Sequence, residues 1–130
     1  MTGMSIWIET NPNPKNRRVG DCAVRAVAIA LDVDWETAYA MMAAEGFEKA
    51  DMPSSDAIWG NVLRHHGFVR EIISNSCPDC YNAADFARDH PDGIYVLGFG
   101  GHTACIRSGK LMDAWNSENE IPQFYWHKEE

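Results

Sequence analysis

The sequence predicts a single α+β domain over residues 1–130, because helix-like segments fill its first half and strand-like segments its second. Three segments between residues 22 and 66 have the length and apolar content of helices, and each follows a residue that can cap a helix. From residue 94 onwards, short runs of β-branched and aromatic residues alternate with turn sequences. This order predicts a layer of helices packed on one face of an antiparallel sheet.

The first helix is expected over Cys22–Leu31, which is apolar at nearly every position and should therefore be buried on all sides at the centre of the fold. Asp21 is its expected N-cap. A second helix is expected over Trp35–Glu45, ended by Gly46, and a third over Asp56–His66.

The remaining elements are mostly strands joined by turns. Ser108-Gly109-Lys110 predicts a tight hairpin between two of them. Strands are expected at Phe68–Ile73, Ile94–Phe99, His102–Arg107, Leu111–Trp115 and Gln123–His127, with a short helix at Ala83–Asp89.

Composition argues against nucleic acid and membranes as partners. The chain has 11 basic and 19 acidic residues, a formal net charge of −8, and its basic cluster Lys15, Arg17 and Arg18 is too short for a nucleic-acid groove. No apolar run reaches the roughly 18 residues of a membrane helix, and no secretion signal is recognisable. We therefore expect a cytoplasmic protein of bacterial or phage type, whose four cysteines are reduced.

Two residues far apart in the sequence predict nucleophilic chemistry. Cys22 lies in the first turn of the central helix, where the positive end of the helix dipole and unpaired N–H groups favour a thiolate. His102 follows Gly100-Gly101 at the start of a strand, so its imidazole can point off the sheet end towards that helix. A Cys–His hydrolase needs this arrangement, with Cys22 as nucleophile and His102 as general base.

The base needs an orienting partner, and the following strand offers two candidates. If Ser108-Gly109 is a two-residue turn, Asp113 lies diagonal to His102 on the same face of the sheet. If the loop includes Lys110, Asn116 lies directly opposite His102. Asp113 is favoured because a carboxylate both orients the ring and stabilises imidazolium, and Asn116 stays as the alternative.

An oxyanion formed during acyl transfer needs hydrogen-bond donors. The backbone N–H of Cys22 is one candidate. The side-chain amide of Asn16, six residues upstream, is the other.

These residues resemble a known family. The stretch Asn16–Leu31, with Asp21 before Cys22 and an alanine-rich helix behind it, is similar to the nucleophile region of the bacteriocin-processing peptidases that cut double-glycine leaders, members of the papain-like superfamily. That family has an amide residue, normally Gln, six places before the cysteine, and a His and an Asp on neighbouring later strands. Gly101-His102 and Leu111-Met112-Asp113 resemble this later part.

The resemblance implies a papain-like fold and a cysteine peptidase with a peptide or protein substrate and no metal or organic cofactor. By position it implies Cys22 as nucleophile, His102 as base, Asp113 as orienting residue and Asn16 as oxyanion donor. The block 113–117 is also similar to the Asn-Ser-Trp region of papain-type enzymes, which keeps Asn116 as the alternative orienting residue. Peptide, isopeptide and amide bonds all remain open as targets.

Two other functions remain as alternatives. The same fold without turnover would be a binding module that sequesters or inhibits a partner. Cys77-Pro-Asp-Cys80 has the spacing of half a zinc site, for which His65, His66, His90 or Cys105 would have to supply the other ligands.

Overall fold

A computed structural model describes residues 5–74 and 81–128. Within them the chain forms four helices and six strands. In chain order these are β1 (Trp7–Glu9), α1 (Cys22–Leu31), α2 (Trp35–Lys49), α3 (Asp56–His65), β2 (Phe68–Ile72), α4 (Ala83–Asp89), β3 (Ile94–Phe99), β4 (His102–Arg107), β5 (Lys110–Asp113) and β6 (Phe124–Lys128). This combination of helices and one sheet agrees with the predicted α+β class.

The sheet is mixed, which corrects the prediction of an antiparallel sheet. Its strand order is β1-β5-β4-β3-β6-β2, and β1 pairs with β5 in parallel while the other neighbours are antiparallel. The pairing extends beyond β1, because the Leu111 N–H donates to the Ile6 carbonyl and the Thr10 N–H to the Asp113 carbonyl, both at 2.8 Å. Three residues are too short a segment for a strand pattern to show in the sequence.

Helix α1 forms the centre of the larger core, as predicted. Its residues from Ala23 to Ala30 are all buried, including Arg25. Helices α2 and α3 pack around it and contribute the fully buried Met42, Trp59 and Leu63. The same core includes sheet residues of one face, such as Val96. No helix in the described part of the chain is long and apolar enough to cross a bilayer.

Helix α4 covers the opposite face of the sheet, so the helices do not lie on one face only as expected. Its Phe86 packs in a second core with Leu97, Ile106 and Leu111. The alternation along β3 explains the two cores, because Val96 points into one and Leu97 into the other. Because apolar side chains point from both faces of the sheet, helices must pack on both faces to bury them.

Helix α2 continues past Gly46, which corrects the prediction that this glycine ends it. The helix ends instead at Lys49, followed by Ala50 in the left-handed conformation (φ +56°). Gly46 is required for close packing, because a Cβ at that position would lie 2.6 Å from the carbonyl oxygen of Asp51. The loop after the helix folds back over this residue, and the Asp51 N–H donates to the Gly46 carbonyl at 2.9 Å.

Candidate active site

Cys22 is the first residue of α1 and its side chain is partly exposed. Its position at the helix tip agrees with the sequence prediction. Asp21 is the N-cap residue of this helix, as predicted, but its side chain makes no capping hydrogen bond. The Asp21 carboxylate instead forms an ion pair with Arg25 and accepts a hydrogen bond from Trp35 Nε1 at 3.0 Å.

His102 begins β4 and connects the helix tip with the sheet. Its ring lies beside the Cys22 side chain, close enough to lower the pKa of the thiol, and its Nε2 lies 2.7 Å from Asp113 Oδ2. Since Nε2 serves Asp113, Nδ1 is the nitrogen left for the sulfur. The backbone N–H of Thr103, the next residue, also donates to Cys22. The sulfur and the imidazole therefore meet as the sequence predicted.

The hairpin between β4 and β5 determines which candidate faces His102. Arg107 pairs with Lys110, so the loop consists of Ser108 and Gly109 alone, with φ of +52° and +73°. Positive φ at both central residues is the signature of a type I′ turn, which glycine favours at its second position. This register brings Asp113 to His102. Asn116 is exposed, and its Oδ1 accepts from the Glu118 N–H at 3.1 Å.

Asp113 is only 3% exposed, and both of its oxygens accept hydrogen bonds. Oδ2 accepts from His102 and from the Ser117 hydroxyl at 2.6 Å. Oδ1 accepts from the Ala114 N–H at 2.7 Å and from Arg25 Nη2 at 3.4 Å. A buried carboxylate held by several donors has a fixed position and stays ionised.

The pKa of the Cys22 thiol lies below its ordinary value. Burial alone would raise this pKa, but the hydrogen bond and positive charge of His102 outweigh burial, helped by the Thr103 N–H and the Arg25 charge. The pKa of His102 is raised to about 9: burial lowers it, while the hydrogen bonds and negative charges of Asp113 and Cys22 raise it more strongly. The lowered thiol pKa and the raised imidazole pKa both favour a thiolate–imidazolium pair over the neutral thiol–imidazole pair.

The pKa of Asp113 is held below its ordinary value. Burial would raise this pKa, and the hydrogen bonds from His102 and Ser117, with the positive charge of His102 and the Ala114 N–H, more than offset that effect. Asp113 is thus a negative charge behind the imidazolium.

A cleft of about 380 Å³ opens in front of Cys22 and His102. Gly20 and Gly101 lie on its walls without side chains, which leaves room for an extended chain to approach the sulfur. The His102 ring is flanked by Phe99, at 5.7 Å between ring centroids, and by Trp115, at 4.7 Å. Trp115 is 42% exposed, so it covers the imidazole from the solvent side.

Asn16 is not among the residues that line this cleft. It is exposed, has a positive φ of +53°, and its Oδ1 accepts from Asn11 Nδ2 at 3.2 Å. Its role as oxyanion donor stays a prediction from the sequence.

The cysteines of the alternative zinc site, Cys77 and Cys80, lie outside the described residues. Among the residues that are described, no group of three or more His, Cys, Asp or Glu side chains is placed to hold a metal ion. Cys105 is fully buried in the core, and burial raises its pKa to about 12. His90 packs on Phe86 with 3.8 Å between ring centroids.

Three residues of the site were not identified from the sequence: Thr103, Ser117 and Arg25. Arg25 offered a signal, since it is the single charge inside an otherwise apolar helix and lies four residues after Asp21. Ser117 is 1% exposed and reaches Asp113 through a loop, a contact that no local sequence pattern indicates.

Comparison with known proteins finds no family model, no curated protein and no solved structure that matches the chain. The chemistry of the site must therefore be argued from the geometry of its own residues.

Proposed function

We propose that the protein is a cysteine-dependent hydrolase or acyl transferase that acts on a peptide, isopeptide or amide bond. One observation carries the proposal: Cys22 and His102 lie side by side on an open cleft, and His102 is hydrogen-bonded to the buried Asp113 at 2.7 Å. A thiolate, a proton shuttle and an orienting carboxylate are the groups that acyl transfer by a cysteine requires.

In this mechanism the Cys22 thiolate attacks the carbonyl carbon of the substrate and forms a tetrahedral oxyanion. The backbone N–H of Cys22, at the N-terminus of α1, is a donor for that oxygen. His102 gives its proton to the leaving nitrogen as the C–N bond breaks, which leaves a thioester on Cys22. Water then attacks the thioester and gives a proton to His102, and release of the acid restores the Cys22 thiolate beside a protonated His102; an amine in place of water gives transfer.

The resemblance to the papain-like peptidases of double-glycine leaders supports this proposal at two blocks of the chain. A nucleophile helix packed against a sheet end that carries the base fits a papain-like arrangement. A reactive thiolate also suits the reducing cytoplasm in which we propose that the protein acts.

The proposal is tested by the rate at which iodoacetamide alkylates each cysteine at pH 7, resolved by peptide mass spectrometry. Cys22 should react faster than an ordinary thiol, and His102→Ala should slow it by roughly tenfold because the thiolate loses its counter-charge. Cys105 is the internal control, since it is fully buried and should stay unlabelled in the folded protein. Asn116→Ala is the matched surface control and should change nothing.

Equal labelling of Cys22 in the wild-type protein and in His102→Ala would rule out the proposed ion pair. A fast Cys22 without turnover of any peptide or amide substrate would favour a binding module with the same site. In that case Cys22→Ala should leave capture of the partner intact.

A further inference from the structure

We propose that Arg25 is a positioning residue of this site: it ties the residue before the nucleophile to the carboxylate behind the base, and so holds the tip of α1 against the end of β5. This role rests on the proposed function for its chemical meaning. The contacts that carry it are independent of any substrate.

Arg25 contacts two buried carboxylates at once. It lies one turn after Asp21 on the same face of α1, and its Nη1 forms an ion pair with Asp21 Oδ1. Its Nη2 lies 3.4 Å from Asp113 Oδ1. A guanidinium is planar and rigid, so two carboxylates bound to its two terminal nitrogens are held in a defined relative position.

Asp21 is itself held in place, which makes it a firm anchor. Its Oδ2 accepts from Trp35 Nε1 at 3.0 Å and from Asn13 Nδ2 at 3.2 Å. These donors come from α2 and from the segment before α1. Arg25 therefore links Asp113 to a carboxylate that is itself held in place at the tip of α1.

The contacts close into a ring. The Cys22 side chain contacts His102, and His102 forms a hydrogen bond with Asp113. Asp113 forms an ion pair with Arg25, and Arg25 forms another with Asp21. Asp21 is covalently joined to Cys22, which completes the ring. A shift of α1 along β5 must therefore break an ion pair before it can separate sulfur from imidazole. The ring thus opposes the displacement that would disable the proposed chemistry.

Burying Arg25 carries a cost that packing alone does not explain. The residue is 6% exposed, and its Nε is buried without a hydrogen-bond partner among the described residues. An apolar side chain would fill this place without an orphaned donor, and buried ion pairs are often no more stable than apolar replacements. A guanidinium here is better explained by its effect on the site than by its effect on the core.

The charge of Arg25 also acts on the nucleophile. It is one of the positive charges that lower the pKa of Cys22. Without it, the thiolate would share the site with the carboxylates of Asp21, Asp113 and Asp56 and a single imidazolium. The charged groups around Cys22 are Asp21 and Arg25 at α1, His102 on β4, Asp113 on β5 and Asp56 of α3 across the cleft.

The test compares wild type, Arg25→Gln and Arg25→Lys in the pH dependence of iodoacetamide alkylation at Cys22, followed by peptide mass spectrometry. Arg25→Gln should move the midpoint to higher pH and slow labelling at pH 7 by a few-fold, less than His102→Ala does, because Arg25 lowers the pKa of Cys22 less than His102 does. Arg25→Lys keeps the charge without the planar fork, so it should recover part of the midpoint shift. Arg107→Gln is the matched control, because Arg107 contacts α1 at the Ile29 carbonyl, far from the ring.

Arg25→Gln removes the ion-pair partner of the buried Asp21 carboxylate, which can prevent folding. An Asp21→Asn/Arg25→Gln double variant, which removes one charge of each sign, is therefore measured in parallel. A folded variant with the wild-type midpoint would overturn the proposal, even if its melting temperature fell, because that is the outcome of a purely structural arginine. If wild-type Cys22 is no more reactive than an ordinary thiol, the proposed function fails whatever Arg25 does.

Discussion

Replacing Asp113 by Asn tests the centre of the proposed site, because the change keeps the shape of the side chain and removes its charge. The groups that donate to Asp113 respond differently to an amide. The Ala114 N–H and the Arg25 guanidinium can only donate, so the amide oxygen of the variant must face them. The NH₂ group then faces His102 and Ser117, both of which can accept.

This orientation forces His102 into the wrong tautomer. Its Nε2 must accept from the NH₂ group of the introduced amide, so the ring proton moves to Nδ1, the nitrogen that faces Cys22. A neutral ring with its proton on Nδ1 cannot remove a proton from the thiol. The pKa of His102, raised to about 9 in the wild type, should fall towards its ordinary 6.5. The net rise corresponds to about 3 kcal/mol of stabilisation of the imidazolium, to which both Asp113 and Cys22 contribute against the effect of burial.

The assay is a pH titration of the His102 ring by NMR, with the rate of Cys22 alkylation measured on the same samples. We expect a lower His102 pKa and slower labelling at pH 7 for Asp113→Asn. Asn116→Ala should match the wild type. An unchanged His102 titration in Asp113→Asn, or a large effect of Asn116→Ala, would refute the assignment of Asp113 as the orienting residue.

Two further predictions concern stability. Because the pKa of His102 is raised in the folded protein, its charged form adds to the free energy of unfolding. This contribution is complete below pH 6.5 and is lost as the pH rises through about 9. The stability difference between wild type and His102→Ala, measured by urea denaturation, should therefore shrink between pH 6 and pH 10, and a difference that grows would contradict the ion pair. Gly46→Ala should destabilise the protein by about 1–3 kcal/mol, because its Cβ would lie 2.6 Å from the Asp51 carbonyl oxygen. Gly20→Ala is its control, since an added Cβ there would meet no described atom within 4 Å. Equal urea midpoints for the two variants would contradict this prediction and show that the Asp51 loop can move away from the added Cβ without cost.

Local sequence signals predicted much of the fold and the core of the site. The apolar run after Asp21 predicted α1 and its buried position, and the structure confirms both. The start of β4 at His102 and a hairpin within Ser108-Gly109-Lys110 were also predicted, because φ > 0 at a hairpin turn favours specific residues. The choice between Asp113 and Asn116 remained open in the sequence, since one extra loop residue changes which side chain is opposite which.

Other errors came from contacts that no simple sequence pattern shows. Gly46 has the appearance of a helix end, yet the return of the Asp51 loop makes it an interior residue of α2. Helix α4 packs on the sheet face that the sequence pattern left without cover. Asp21 has the position of an N-cap, but its carboxylate pairs with the Arg25 guanidinium and does not accept from the N–H groups of the helix, because both charged side chains are buried together.

The amino-acid sequence by itself determined the helix that begins at Cys22, the strand that begins at His102 and the presence of a hairpin after that strand, because each depends on residues only a few positions apart. The register that places Asp113 behind His102 was visible only in the structure. Only the tertiary structure decided the parallel addition of β1, the cover of both sheet faces and the bridge from Asp21 through Arg25 to Asp113. Arg25 and Asp113 are 88 residues apart in the chain. An ion pair over that separation has no local pattern, since it exists only once helix and sheet have packed and excluded the water that would otherwise solvate both charges.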